Sequence, residues 1–126
     1  MIAKKRVLII DDEASFTRLL TLNLHHTGRY TAEAVNDPAE AVAVARRFSP
    51  DVILLDVMMP GMDGGQVATR IQASSKLKKT PIVFLTAAVK KGEIELHRGY
   101  IGGLPFIAKP VDIDEVVGCI EKSLRG

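Results

Sequence analysis

The sequence predicts one α/β domain, a doubly wound parallel sheet with helices on both faces. Three observations predict it. Short apolar runs and amphipathic segments alternate along all 126 residues. The connections are short, which forces parallel strands with right-handed crossovers. The runs Val7–Ile10 and Val52–Leu55 are apolar throughout, the pattern of strands buried on both faces.

Taken in order, Val7–Ile10 reads as the first strand, closed by Asp11-Asp12-Glu13. Acidic residues suit a helix start through its dipole, so these three could simply cap the next helix. Phe16, Leu19, Leu20 and Leu24 follow at helical spacing, and Gly28 ends that helix. Tyr30–Val35 alternates weakly, as an edge strand does. Asp37-Pro38-Ala39-Glu40 starts a second helix, with Asp37 as cap, Pro38 at the first helical position and Glu40 completing a capping-box pattern. Ala41, Val44, Ala45 and Phe48 share one face, and Ser49-Pro50 stops the helix. Val52–Leu55 is the third strand, ending at Asp56, and Pro60-Gly61 turns the chain. Asp63-Gly64 opens a third helix that turns Val67, Ala68 and Ile71 inward. Ser74–Lys79 is polar and basic. Pro81–Leu85 is a fourth buried strand ending at Thr86. Glu93–Arg98 is a weak fourth helix bracketed by Gly92 and Gly99. Gly102-Gly103-Leu104-Pro105 reads as a loop and Phe106–Ala108 as a short fifth strand, ended by Lys109-Pro110. Asp112 and Glu115 form a second capping-box pattern for a fifth helix lined by Ile113, Val116, Val117, Ile120 and Leu124. The expected architecture is therefore a five-stranded parallel sheet in the flavodoxin-like order 2-1-3-4-5, flanked by five helices, with residues 1–126 as a single domain.

Composition narrows the function classes. Hydrophobic residues are 47% and charged residues 25%, enough apolar side chain for a core. Lys+Arg 17 against Asp+Glu 15 gives a net charge of +2, which points to no polyanionic partner. Lys4-Lys5-Arg6 and Lys76-Leu77-Lys78-Lys79 are short and lack interleaved aromatics, so they read as solvated surface and no nucleic-acid partner is expected. Cys119 is the single cysteine, so no intrachain disulfide can form. No apolar run approaches the roughly 20 residues of a membrane helix, and the N-terminus lacks a signal-peptide pattern. No membrane partner is expected, and the expected location is the cytoplasm.

The strand ends carry the chemistry. Asp11 and Asp12 end the first strand, Asp56 the third, Thr86 the fourth and Lys109 the fifth. In a parallel sheet all carboxyl ends lie on one edge, where open α/β sheets bind ligands. Three carboxylates there repel one another, each pair at about 4 Å by on the order of 4 kcal/mol at an effective dielectric near 20. Lys109 leaves an acidic excess. Hard oxygens with one lysine suit Mg²⁺, whereas His25, His26 and His97 are scattered and no zinc-spaced His or Cys cluster exists. A carboxylate beside Mg²⁺ and Lys can act as nucleophile on a phosphoryl group.

The motifs Ile10-Asp11-Asp12-Glu13, Leu55–Gly64 around Asp56, Leu85-Thr86-Ala87 and Ala108-Lys109-Pro110 together resemble the response-regulator receiver domains of two-component signalling, including the single-domain chemotaxis-type regulators. The resemblance spans about Lys5 to Leu124. It implies that Asp56 accepts a phosphoryl group from a sensor histidine kinase or histidine phosphotransfer protein. It implies that Asp12, Asp56 and the Met58 carbonyl hold Mg²⁺, with Asp11 acting mainly through a water. Thr86 would hydrogen-bond the phosphoryl group and Lys109 would pair with it. Phe106 stands where the family often has a switching aromatic residue, and simple packing is the alternative. Two features depart from the common pattern. The glycines Gly92, Gly99, Gly102 and Gly103 imply a loosely held fourth helix that phosphorylation orders. Met58 and Ala88 flank the site without a group able to orient water, implying slow self-dephosphorylation.

The implied function is a phospho-acceptor switch acting on a downstream target protein, not an enzyme beyond its own phosphorylation and dephosphorylation. The alternative is a Mg²⁺-dependent phosphotransferase or phosphatase working through an aspartyl phosphate. Such enzymes want a second acid two residues after the nucleophile, where this chain has Met58. A plain flavodoxin-like binding module would want a glycine- or hydroxyl-rich loop where Asp11-Asp12-Glu13 stands.

Overall fold

Val7–Ile10 and Val52–Leu55 have no solvent exposure at all, as strands covered on both faces require. The computed structural model describes residues 3–59, 61–87, 100–101 and 104–126, with 100–101 described by backbone alone. Within these, the elements run β1 (Lys5–Ile10), α1 (Ala14–His26), β2 (Tyr30–Val35), a 3₁₀ turn (Pro38–Glu40), α2 (Ala41–Phe48), β3 (Val52–Asp56), α3 (Gly64–Ala73), β4 (Ile82–Thr86), β5 (Tyr100–Ile101), β6 (Leu104–Ala108) and α4 (Ile113–Leu124). The sheet order is β2-β1-β3-β4-β6-β5. The first five of these pair in parallel, and β5 pairs antiparallel with β6. Counting parallel strands alone, the order is the expected 2-1-3-4-5.

Side-chain alternation along each strand sorts the core into two layers. Leu8, Ile10, Ile53, Leu55 and Phe84 pack with Ala41 and Ala45 of α2 and with Val67, Ala68 and Ile71 of α3. Val7, Ile9, Leu54, Val83 and Leu85 pack with Leu20 and Leu24 of α1 and with Val116 and Ile120 of α4. Among the described residues no helix is long and apolar enough to cross a membrane.

Several expectations are corrected. Leu104 and Pro105 are not loop: they open β6 and pair with Ile101 and Tyr100 in a hairpin. Only two residues separate those strands, and a two-residue strand is too short to show a period. The second helix does not begin at Pro38. Asp37 Oδ1 accepts from Ala39 N at 3.0 Å, but Glu40 N bonds back three residues to Asp37 O at 3.0 Å, tightening that turn to 3₁₀. Leu19 shares the helical spacing of Leu20 and Leu24 but is 60% exposed. One residue turns a helix by about 100°, so a face centred on Leu20 and Leu24 sends Leu19 aside. The described residues carry four α-helices; the helix expected at Glu93–Arg98, with Gly92, Gly99, Gly102, Gly103, Ala88 and His97, lies outside them.

Candidate functional site

The ladder delivers each site residue to one edge. Asp11 N donates to Val35 O at 3.0 Å, extending β1 by one residue, and Lys109 N donates to Thr86 O at 2.8 Å, extending β6. Asp56 and Thr86 are the last residues of β3 and β4. Asp63 caps α3, accepting from Gln66 N at 2.9 Å. The helix then packs tightly under the site: a Cβ on Gly64 would lie 2.3 Å from Asp56 O and 2.8 Å from Val57 Cα, so only glycine fits there.

Asp11, Asp12 and Asp56 each bring a carboxylate oxygen to within 4.8 Å of the others. Asp11, Asp56 and Thr86 are buried, while Asp12 reaches solvent. The Lys109 ammonium enters this cluster, 2.7 Å from Asp11 Oδ2, 3.0 Å from Glu13 Oε1 and 3.7 Å from Asp56 Oδ2. Its far side lies over the Phe16 ring, 4.4 Å from the centroid. Asp56 Oδ1 accepts from Met58 N at 3.2 Å. Asp11 Oδ1 accepts from Glu13 N at 2.9 Å, and Asn36 Nδ2 donates to the Asp11 carbonyl at 2.8 Å and to Thr17 Oγ1 at 2.9 Å.

Burial and the neighbouring Asp11 charge push the Asp56 carboxyl up to about 6, against the pull of Lys109 and the Met58 amide. Burial disfavours the Lys109 charge, but Asp11 and Glu13 outweigh it and hold the ammonium above its usual range. Asp11 Oδ2 is buried and lacks a directed hydrogen bond; its close contact is the ion pair with Lys109. Three carboxylates with oxygens within 4.8 Å of one another, facing a single ammonium, are hard donors in excess of positive charge and fit a hard divalent cation.

All the strand-end residues expected at the site are brought together. Met58 lies beside them with its side chain 63% exposed. Phe106 is not on the surface: it is 8% exposed and packs with the α2–α3 layer. His25 serves the fold, its Nε2 accepting from Ala32 N at 3.0 Å. Cys119 is half-buried, and burial raises its thiol pKa. Sequence reasoning missed Glu13 and Phe16 as the groups that hold Lys109. The available signal was a glutamate at a helix start, where Ser, Thr, Asp or Asn cap better. Glu13 is the N-cap residue of α1, and its side chain makes no capping hydrogen bond.

Comparison with known proteins agrees with this geometry. The family model described as "Response regulator receiver domain" matches residues 7–121. The chain belongs to the response regulator receiver domain family. The DNA-binding response regulator MtrA of Mycobacterium leprae is 36% identical over 123 residues, covering 97% of this chain and 52% of MtrA. The transcriptional regulatory protein TrcR of Mycobacterium tuberculosis is 34% identical over 121 residues, covering 95% of this chain and 45% of TrcR. The chain thus spans about half the length of these curated relatives. Among solved structures, the chemotaxis protein CheY4 of Vibrio cholerae matches with a TM-score of 0.82 at 28% identity, covering 96% of this chain and 99% of CheY4. The N-terminal domain of a response regulator receiver protein from Methanoculleus marisnigri matches with a TM-score of 0.70 at 26% identity, covering 95% of this chain and 96% of that one.

Proposed function

We propose that this receiver domain is a phospho-acceptor switch, taking a phosphoryl group from a phosphohistidine donor onto Asp56. The observation that carries the reading is the cluster of Asp11, Asp12 and Asp56 oxygens within 4.8 Å, with the Lys109 ammonium at its wall. With its carboxyl at about 6, Asp56 is mostly ionised at neutral pH and able to act as nucleophile. A new bond forms between Asp56 Oδ and phosphorus while the P–N bond of the donor breaks, its electron pair returning to the imidazole nitrogen. Lys109 then pairs with a phosphoryl oxygen, and the Thr86 hydroxyl donates to another. Mg²⁺, held by Asp12, Asp56 and the Met58 carbonyl with Asp11 acting mainly through a water, would offset the negative charge of the phosphoryl oxygens.

The product's added charge sits beside Thr86, one strand from Phe106, and biases the neighbouring surface toward a target-binding form. Moving such an equilibrium from mostly off to mostly on requires about 5.5 kcal/mol of preference. The chain acts in the cytoplasm, as a substrate of its own phosphorylation rather than an enzyme on other molecules. Several relatives are DNA-binding regulators by name; that property is theirs, and we assign no nucleic-acid contact to this chain. Because Met58 offers no group to orient water, the phosphoryl group is expected to be lost slowly, and decay within seconds would count against that part of the reading.

The test is intact mass after incubation with a small acyl-phosphate donor, with and without Mg²⁺, beside Asp56→Asn. One added phosphoryl group that needs both Mg²⁺ and Asp56 supports the proposal. An adduct that persists in Asp56→Asn names a different nucleophile and refutes it.

A further inference from the structure

Glu13 stands outside the three-carboxylate cluster. It also does no capping work, although it occupies the N-cap of α1. Its carboxylate is 60% exposed, so packing does not dictate where it points. It points to the Lys109 ammonium, at 3.0 Å, accepting a hydrogen bond. Lys109 is itself only 10% exposed, and the Phe16 ring lies 4.4 Å from it. Asp11 and Glu13 hold the ammonium closer than Asp56 does, at 2.7 and 3.0 Å against 3.7 Å.

An ammonium has three protons to share. In the proposed reaction it must turn toward the phosphoryl oxygens, and the buried Asp11 cannot follow it. Glu13 is the partner that must release it. We infer that Glu13 is a positioning residue that parks the Lys109 ammonium between Asp11 and Phe16 and so slows phosphoryl uptake at Asp56. This rests on the phospho-acceptor reading above. Glu13 touches neither the phosphoryl group nor the cation; it acts through Lys109.

The experiment follows phosphoryl uptake from acetyl phosphate with saturating Mg²⁺ by intact mass, for wild type, Glu13→Gln and Glu13→Asp. An exposed pair of this kind is worth a factor of about two to five, so Glu13→Gln should take up phosphoryl groups about two- to fivefold faster. Glu13→Asp keeps the charge but is one methylene too short to reach Lys109, and it should match Glu13→Gln. Salt screens an exposed ion pair, so the gap between wild type and both variants should close as salt is raised. A merely structural role for Glu13 would not respond to salt in that way. Equal rates for wild type and Glu13→Gln overturn the inference. So does a wild-type rate in Glu13→Asp, which would assign the effect to charge near the site and not to the contact. A gap unaffected by salt overturns it too. No adduct on wild type or either variant is a different result: it removes the phospho-acceptor reading, and this inference with it.

Discussion

Replacing Asp56 with asparagine should stabilise the metal-free protein, and most at neutral pH. The Asp56 carboxyl ordinarily titrates at 3.8 and is pushed up to about 6 in the folded chain, chiefly by burial and by the Asp11 charge. The folded state therefore keeps a proton that the unfolded state has already released between these values. Stability falls as pH rises through this window, and the penalty is complete above about 6. A shift of about 2 units at 1.36 kcal/mol each makes the full penalty about 3 kcal/mol. Asparagine carries no charge, and its oxygen can still accept from the Met58 amide that now lies 3.2 Å from Asp56 Oδ1. At about pH 7.5 Asp56→Asn should gain about 3 kcal/mol, roughly 10 °C in Tm for a chain of this length. At about pH 4.5 the gain should shrink to about 1 kcal/mol. Thermal melts of both proteins across this range in a chelator supply the test. A gain that does not change with pH, or a loss at neutral pH, would refute the reasoning. Adding Mg²⁺ should then raise the wild-type Tm more than that of the variant, because a ligand bound more tightly by the folded state stabilises it more.

Gly64→Ala places a methyl group against the Asp56 and Val57 backbone at 2.3 and 2.8 Å, so α3 must shift; urea unfolding should show a loss of about 3 kcal/mol. Lys109→Met leaves Asp11, which has no exposure, without its counter-charge; the metal-free protein should lose about 3 kcal/mol, and an NMR titration should show the Asp56 carboxyl rising further. Tyr30 is buried and its hydroxyl donates to Glu121 of α4, so Tyr30→Phe should cost about 1 kcal/mol by chemical denaturation while phosphoryl uptake stays unchanged.

The site was more legible in the sequence than parts of the fold, and the reason is topological. Once the strands are parallel, the residues that end them share an edge whatever their side chains do. Asp11, Asp56, Thr86 and Lys109 could therefore be brought together from the ends of four apolar runs. The β5–β6 hairpin was not legible, because Leu104-Pro105 after two glycines carries turn chemistry and two-residue strands carry no period. The exposure of Leu19 was not legible, because periodicity marks a helical face but not its centre, which tertiary packing sets at Leu20 and Leu24. Phe106 left packing and switching open in the sequence; the structure buries it in the α2–α3 layer. Capping was the simple alternative for Glu13 in the sequence, because helix-start statistics describe an average partner, the backbone amide. Here a nearer and stronger partner, an ammonium delivered from 96 residues away, takes the carboxylate instead.

Charge arithmetic ties these predictions together. Asp11, Asp12, Glu13 and Asp56 present four carboxylates to one ammonium, an excess of three negative charges on one sheet edge. Repulsion from Asp11 adds to the burial that already disfavours the Asp56 charge, so this edge opposes folding. The strands beneath supply the opposing stability: Val7–Ile10 of β1 and Val52–Leu55 of β3 are apolar and unexposed. The edge can therefore remain under-neutralised without unfolding the domain. A phosphoryl group would add further negative charge to that edge, which Lys109 cannot offset while it is shared with Asp11 and Glu13. Uptake should then require added positive charge, which is why Mg²⁺ dependence and the effect of Glu13 on rate follow from the same imbalance.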